Sequence, residues 1–113
     1  MFRFRNVLQE FEAHLTPADP GFAQARGKSE WKRYGDDSRR LKVKVSGIDL
    51  PNGTLLEINV NGKKIGEMKV ERKAARLERE SGKGEYVPPV GAGQELQLLF
   101  QGKVILQGMY HAE

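Results

Sequence analysis

The chain has no cysteine, and this absence excludes three kinds of chemistry. It cannot form disulfide bonds, use a thiolate as a nucleophile or hold zinc through cysteine ligands. The absence does not locate the protein, since many exported bacterial proteins also lack cysteine. Histidine is scarce as well, and His14 and His111 stand near opposite ends of the 113 residues.

Long apolar runs are also missing. No window approaches the ~18 apolar residues that a membrane helix needs, so no membrane span is predicted. The first fifteen residues are interrupted by arginine and glutamate and lack the apolar centre of a signal peptide. The predicted location is therefore conditional: cytoplasmic if Met1 is the native start, and exported if the chain was trimmed from a longer protein.

The charge is not strongly one-sided. The chain has 19 Lys and Arg against 15 Asp and Glu, a formal net charge of +4. This mild excess favours anionic surfaces weakly and is less than a dedicated nucleic-acid binder carries. With 38% hydrophobic and 30% charged residues, the chain is typical of one soluble domain over residues 1–113. Residues 1–9 are predicted to be a loosely attached N-terminal segment.

Glycine is plentiful, with 13 residues that separate short alternating stretches, which is the pattern of turns between strands. Residues 23–31 and 40–45 both place small or apolar side chains at odd positions and charges at even positions. Successive side chains of a strand point to opposite faces, so the odd positions should face the core. Equal parity on both strands requires a loop of odd length, either Gly35-Asp36-Asp37 or Asp36-Asp37-Ser38.

One phrase occurs twice, at residues 56–70 and again 40 positions later at residues 96–110. The first copy contains Asn61-Gly62, the preferred pair for a type I′ hairpin turn, and the second has Gln101-Gly102. The parity of the first copy requires a bulge near Gly66. The repeat therefore predicts two similar hairpins, and we expect one in each half of a sandwich.

Residues 71–82 contain many helix formers and end at a glycine, so both helix and strand remain open. The strand is favoured because the surrounding segments are all strands and the parity fits. A turn at Arg72-Lys73 would then fold it back on the preceding strand and set Leu77 against Met68.

These patterns together predict an all-β chain, a single antiparallel β-sandwich of about eight strands. Residues 87–94 are rich in proline and glycine and should form a loop. The predicted core is Phe11, Leu15, Trp31, Leu41, Val43, Val45, Ile58, Val60, Ile65, Leu77, Leu98, Phe100 and Ile105.

The first half of the chain resembles CHRD-type (chordin-like) β-sandwich domains. The resemblance covers residues 11–48: a strand of the form F-x-A-x-L, then a strand containing glycine, then an alternating strand closed by a glycine and an apolar residue. The matching positions are Phe11, Ala13, Leu15, Gly27, Val43, Val45, Gly47 and Ile48. The resemblance implies a β-sandwich fold.

The second half departs from that family, whose domains carry a histidine-containing segment where this chain has LLEINVNG. A metal or ligand role of that segment is therefore not carried over. The order of the Pro, Asn and Gly turns also resembles small bacterial proteins of exported or surface settings, which implies a fold and no activity.

Enzyme chemistry has little support in the sequence. His14 and His111 could bind a metal with Glu12 or Glu113 if the terminal strands were neighbours, but a site needs three or four ligands, so no metal is predicted. The acidic clusters suit turns and solvated faces; they are Asp36, Asp37, Glu78, Glu80 and Glu85. No phosphate-binding loop, nucleophile elbow or dinucleotide motif occurs. We predict a protein that is not an enzyme and uses no cofactor.

One strand surface has a consistent character, and we call it the basic face. Six cations share the outward parity of residues 26–44 and only Glu30 opposes them; they are Arg26, Lys28, Lys32, Arg40, Lys42 and Lys44. With Tyr34 on the same parity, the face is similar to strand surfaces that bind single-stranded nucleic acid. The alternative is a solvated face whose lysines prevent edge-to-edge aggregation.

Two functions stay open. The first is a non-catalytic binding or structural module, part of a bacterial surface or envelope assembly, whose partner is a protein or a polyanionic surface. The second is a cytoplasmic nucleic-acid-binding domain that uses the basic face. The sequence names no ligand and no oligomeric state.

Overall fold

The computed structural model describes residues 6–113, which form nine antiparallel strands and two single-turn 3-10 helices, Pro20–Phe22 and Ser81–Lys83. The all-β prediction is confirmed. No helix in residues 6–113 is long and apolar enough to cross a membrane. The strands are β1 (Val7–Pro17), β2 (Arg26–Tyr34), β3 (Arg39–Ser46), β4 (Leu55–Val60), β5 (Lys63–Lys69), β6 (Ala75–Glu80), β7 (Glu95–Phe100), β8 (Lys103–Met109) and β9 (His111–Ala112).

The strands follow the order β5-β4-β7-β8-β1-β2-β3-β6, and β9 pairs with β1. The long strand β1 joins the two halves, because most of it pairs with β2 while Thr16 and Pro17 pair with β8. The sheet folds over one core until its end strands, β5 and β6, contact each other without forming a ladder. The gap between these end strands positions the candidate site described below.

The structure describes only part of the segment 1–9 that was predicted to be loosely attached. Residues 1–5 lie outside the described residues. Of the rest of the 1–9 segment, Val7 and Gln9 belong to β1 and pair with Tyr34 and Arg33 of β2.

The core contains every residue that the sequence predicted, but Leu77 and Phe100 are only partly buried and pack against its edge. Trp31 is central: its ring lies 5.6 Å from that of Phe11 and its Nε1 donates a 2.9 Å hydrogen bond to the carbonyl of Pro88. That bond ties the 87–94 loop to the core. The structure adds buried residues that the alternation did not identify, chiefly Ile48, Leu56, Met68, Val70, Leu96, Leu106 and Tyr110.

The β2–β3 hairpin has the predicted register. Trp31 pairs with Leu41 and Arg33 with Arg39, which leaves the three-residue loop Gly35-Asp36-Asp37. Asp37 has a φ of 64°, a conformation that aspartate accepts more readily than most residues. The core-facing side chains are at odd positions (Ser29, Trp31, Leu41, Val43 and Val45), and the charged even positions face outward. Tyr34 also has an even number, but it is only 8% exposed and so adds little aromatic surface to the basic face.

The two repeated segments form hairpins with the same construction. Both turns have positive φ at both central residues, 53° and 80° at Asn61-Gly62 and 50° and 79° at Gln101-Gly102. Both also contain the bulge predicted near Gly66, because Ile58 pairs with Gly66 and Leu98 pairs with Leu106. One extra residue, Ile65 or Ile105, is thereby accommodated in the second strand of each hairpin.

The prediction that these hairpins occupy different halves of the sandwich is wrong. They lie side by side in one half, where β4 pairs with β7 and Ile58 is the direct partner of Leu98. These two residues are also equivalent in the 40-residue repeat, so a local two-fold axis passes between them. The repeat supplies two adjacent copies of one unit, which bury a continuous apolar surface together.

The segment after Val70 is a strand, as favoured, but its predicted pairing is wrong. Arg72 and Lys73 form the turn, with φ of 52° and 62°, and only Glu71 and Ala74 bridge across it within residues 6–113. Leu77 pairs with Val43 of β3, not with Met68. The backbone of Val70 is instead held by the preceding loop, donating to the carbonyl of Thr54 and accepting from the amide of Gly53.

Candidate anion-binding face and cleft

The structure brings the six cations of the basic face together on the outer surface of β2 and β3. The ladder sets Lys28 opposite Lys44 and Lys32 opposite Arg40. Like charges directly opposite each other on a sheet repel, so this hairpin would be unfavourable if it stood alone.

Carboxylates from the flanking strands, together with Glu30 of β2 itself, neutralise much of that face. Lys28 Nζ lies 3.0 Å from Glu12 Oε1 and 3.3 Å from Glu30 Oε1. Lys32 Nζ lies 3.5 Å from Glu10 Oε1, and Arg40 pairs with both Glu78 and Glu80 of β6. Only one opposing carboxylate, Glu30, was evident from the sequence, because the other four lie on β1 and β6. Local sequence does not show that these strands flank β2 and β3; the four are Glu10, Glu12, Glu78 and Glu80.

These ion pairs shift the ionisation of their members in the expected directions. The hydrogen bond from Arg40 lowers the pKa of Glu78 below its usual value, and the same bond raises the pKa of Arg40. Hydrogen bonds to Glu12 and then to Glu30 raise the pKa of Lys28. The middle of the basic face is therefore an interleaved network of cations and carboxylates.

Three cations of the basic face have no ion pair in residues 6–113: Lys42, which lies opposite Glu30, and Arg26 and Lys44, which lie toward one end of the face. Arg26 turns back on its own strand, where its guanidinium donates to the carbonyls of Ala23 and Ala25. Lys44 is exposed and forms no ion pair within residues 6–113, and its neighbour across the next ladder is a third cation, Arg76. Arg76 pairs with Glu78 at 3.3 Å, so Lys44 is the exposed lysine left without a carboxylate partner at this end of the face.

A cleft opens beside Lys44, with a volume of about 520 Å³. Its walls come from the end of β3, the end of β5, the 71–74 turn and the start of β6. It exists because β6 leaves the turn to pair with β3 and does not continue a ladder with β5. We call this the cationic cleft; its lining residues are Lys44, Val45, Lys69, Glu71, Ala74, Ala75 and Arg76.

The cationic cleft combines small apolar walls with an excess of positive charge. Val45, Ala74 and Ala75 contribute short side chains, which leave the space open. Three cations and one carboxylate, Glu71, complete the lining. Lys69, like Lys44, has no ion-pair partner in the described part of the chain. Sequence reasoning missed Lys69 because it lies on another strand, 25 positions from Lys44, and no local pattern joins the two.

The histidines meet, although they are 97 positions apart. Strand β9 pairs with β1 so that His111 lies opposite Glu12, and the rings of His111 and His14 stack with centroids 6.0 Å apart. The neighbourhood required for the metal hypothesis is thus present. Even so, residues 6–113 contain no group of three or more His, Asp or Glu side chains arranged to hold a metal ion.

The acidic residues considered for catalysis each have a structural contact. Asp36 accepts a 3.0 Å hydrogen bond from the amide of Ser38 at the hairpin tip, and Asp37 pairs with Arg33 at 3.1 Å. Glu85 accepts a 3.1 Å bond from the amide of Glu80. These contacts explain the residues as turn and surface elements.

Comparison with known proteins gives no further guide: a scan against models of protein families and a search of curated proteins each found no match. The CHRD-type resemblance stays a prediction. The site must therefore be interpreted from its own geometry.

Proposed function

We propose that this protein is a non-catalytic binding module whose cationic cleft holds a small organic anion. The observation that carries the proposal is the placement of Lys44 and Lys69, two lysines without ion partners in residues 6–113, on the rim of a cavity with apolar walls. Lys28 and Lys32 of the basic face have carboxylate partners, and Lys42 lies opposite Glu30 and Glu78 in the two ladders, so Lys44 and Lys69 mark the place where an anion would be favoured.

The size of the cleft suits a small molecule. Ligand sites are typically concave spaces of roughly 300–1,000 Å³ with apolar walls and a few placed polar groups. A volume of about 520 Å³ lies in that range. Exposed ion pairs each contribute only about 0.2–1 kcal/mol, whereas each buried methylene contributes about 0.8 kcal/mol. The preferred ligand should therefore carry both an anionic group and an apolar part.

The nucleic-acid hypothesis depends on a different surface. It requires the basic face to attract phosphates along its length, and carboxylates already occupy Lys28, Lys32 and Arg40 there. The concave cleft at the end of the face gives a small ligand more contact than a polymer lying on a flat sheet. An oligonucleotide consequently serves as the competing probe in the test.

The test is an NMR titration with four probes: phenyl phosphate, inorganic phosphate, phenol and a single-stranded oligonucleotide. Phenyl phosphate should shift the amide signals of residues 69–76 and 44–45, and each of the two fragments should bind much more weakly. If phenol bound as tightly as phenyl phosphate, a role for the lysines would be contradicted. Amide shifts confined to the strands of the basic face, with a single-stranded oligonucleotide as the tighter ligand, would favour the nucleic-acid alternative.

Charge reversal gives a matched comparison. Changing both Lys44 and Lys69 to Glu should weaken phenyl phosphate binding about tenfold or more, because two favourable charges become repulsive. Both side chains are exposed, so the fold should be unaffected. The control is Lys63→Glu, at the opposite end of β5, where affinity should stay close to that of the unmodified protein. Equal losses in all variants would reduce the effect to net charge and overturn the proposal.

A further inference from the structure

The stacked histidines lie on a part of the surface that the cationic cleft does not use. His14 is on β1 and His111 on β9, which contains only two residues. Both imidazoles are exposed, their planes differ by 19° and their centroids are 6.0 Å apart. Two nitrogens bound to one ion at about 2.0–2.1 Å are at most about 4 Å apart. The stacked rings do not point their lone pairs at one ion as they stand, so the exposed His111 ring must turn toward His14 to share a metal ion with it.

A carboxylate already holds one of these rings in the orientation that metal ligation uses. Glu12 Oε1 lies 3.2 Å from His14 Nε2. A proton on Nε2 of the neutral ring would face this carboxylate, and Nδ1 would then keep its lone pair for a metal ion. Histidine ligands of metals almost always donate their second ring nitrogen to a carboxylate or carbonyl in this way.

Glu12 is itself fixed in place. It is 7% exposed, although it is charged and lies on an outward strand position. The same oxygen that accepts from His14 also lies 3.0 Å from Lys28 Nζ. A carboxylate held by a lysine, orienting a histidine, with a second histidine stacked alongside, is more organisation than two unrelated surface histidines would show.

We propose that His14 and His111 form a two-histidine site for a borderline divalent metal ion such as Ni²⁺, Cu²⁺ or Zn²⁺, with Glu12 as the residue that positions His14. Imidazole nitrogens prefer these ions to Mg²⁺ or Ca²⁺. Water completes the coordination, because the protein supplies only two nitrogens. The bound ion links β9 to β1 and secures the C-terminal strand.

The first test is isothermal titration calorimetry of the full chain with Ni²⁺ near neutral pH. One ion should bind per chain, and His14→Ala and His111→Ala should each reduce the affinity by at least tenfold. Two independent weak sites, each abolished by one substitution and unaffected by the other, would overturn the proposal. Binding that survives the removal of both histidines would also overturn it.

The positioning role of Glu12 needs a separate comparison. Glu12→Gln should reduce Ni²⁺ affinity by about 10- to 100-fold, the usual effect of losing such a partner. The control is Glu30→Gln, because Glu30 also pairs with Lys28, at 3.3 Å, and forms no ion pair with either histidine within residues 6–113. Similar metal affinity in both variants would show that Glu12 has no positioning role at the site.

A structural readout completes the test. Ni²⁺ should slow hydrogen exchange at the backbone amides of residues 111–113, where Glu113 donates to the carbonyl of Glu10. The effect should be absent in His14→Ala, whose β9 is otherwise unchanged. Metal binding without protection of β9 would contradict the link between the two strands.

Discussion

At the scale of single residues, the hydroxyl pair of Ser29 and Tyr110 shows how polar groups are accommodated inside the core. Both side chains are almost completely buried, and their oxygens are 2.7 Å apart. Neither hydroxyl can reach water, so each depends on the other for its hydrogen bond. The pair connects β2 to the residue that follows β8, and so holds the two halves of the sheet together from within.

Burial raises the pKa of Tyr110 to about 12, since the phenolate would lose its hydration in the core. In the unfolded chain the pKa is about 10. The neutral phenol is therefore favoured in the folded state, and this contribution is complete below pH ~10 and is lost as the pH rises toward ~12. Unfolding by urea should show stability falling by roughly 2–3 kcal/mol across that interval.

The variant Tyr110→Phe isolates the contribution of Tyr110 to the alkaline loss of stability. Its stability should be lower at neutral pH, because Ser29 loses its partner, but it should decline less between pH ~10 and ~12. The partly exposed Tyr86 supplies the control, because Tyr86→Phe should keep the alkaline decline of the original protein. An identical alkaline decline in the protein with and without Tyr110 would disprove the assignment.

At the scale of elements, the sequence identified what local geometry controls. The turns at Asn61-Gly62 and residues 35–37 were predictable because positive φ and strand parity are written in neighbouring residues. The bulge near Gly66 followed from the same parity. The pairing of β6 could not be found this way, since its alternation fits β5 and β3 equally well and the choice depends on distant charges.

Some features of the candidate site were likewise predictable from local sequence, and others were not. The six cations of the basic face were visible as one parity of two adjacent strands. Their neutralisation depends on β1 and β6, and the cleft depends on Lys69, whose position relative to Lys44 no local pattern contains. The meeting of His14 with His111 required the β1–β9 pairing, which two residues at the end of a chain cannot signal.

The hairpin turns make an element-scale prediction. Gly62→Val should destabilise the protein by roughly 1–2 kcal/mol, because a β-branched residue is strained at a φ of 80°. No atom would lie within 4 Å of the added Cβ, so the cost is conformational and not steric.

The control is Gly91→Val, at another glycine with open space around it but without a φ in the left-handed region. Its free energy of unfolding should change far less in urea denaturation. Equal destabilisation of the two variants would show that the strained turn is not the cause.

At the scale of the whole molecule, one structural choice determines the rest. By pairing with β3, β6 places Glu78 and Glu80 against Arg40 and neutralises the middle of the basic face. The same choice separates β6 from β5 and opens the cationic cleft at their divergence. Two of the cations that have no ion pair in residues 6–113, Lys44 and Lys69, border that cleft.

The most direct test of this account is to measure which strand β6 pairs with. Cross-strand nuclear Overhauser effects in the labelled protein should connect Val43 with Leu77 and Lys44 with Arg76, as the β3–β6 ladder requires. A β5–β6 hairpin would instead connect Met68 with Leu77 and would close the cleft. Observation of the first set supports both the charge network and the proposed anion site, and observation of the second set would contradict them.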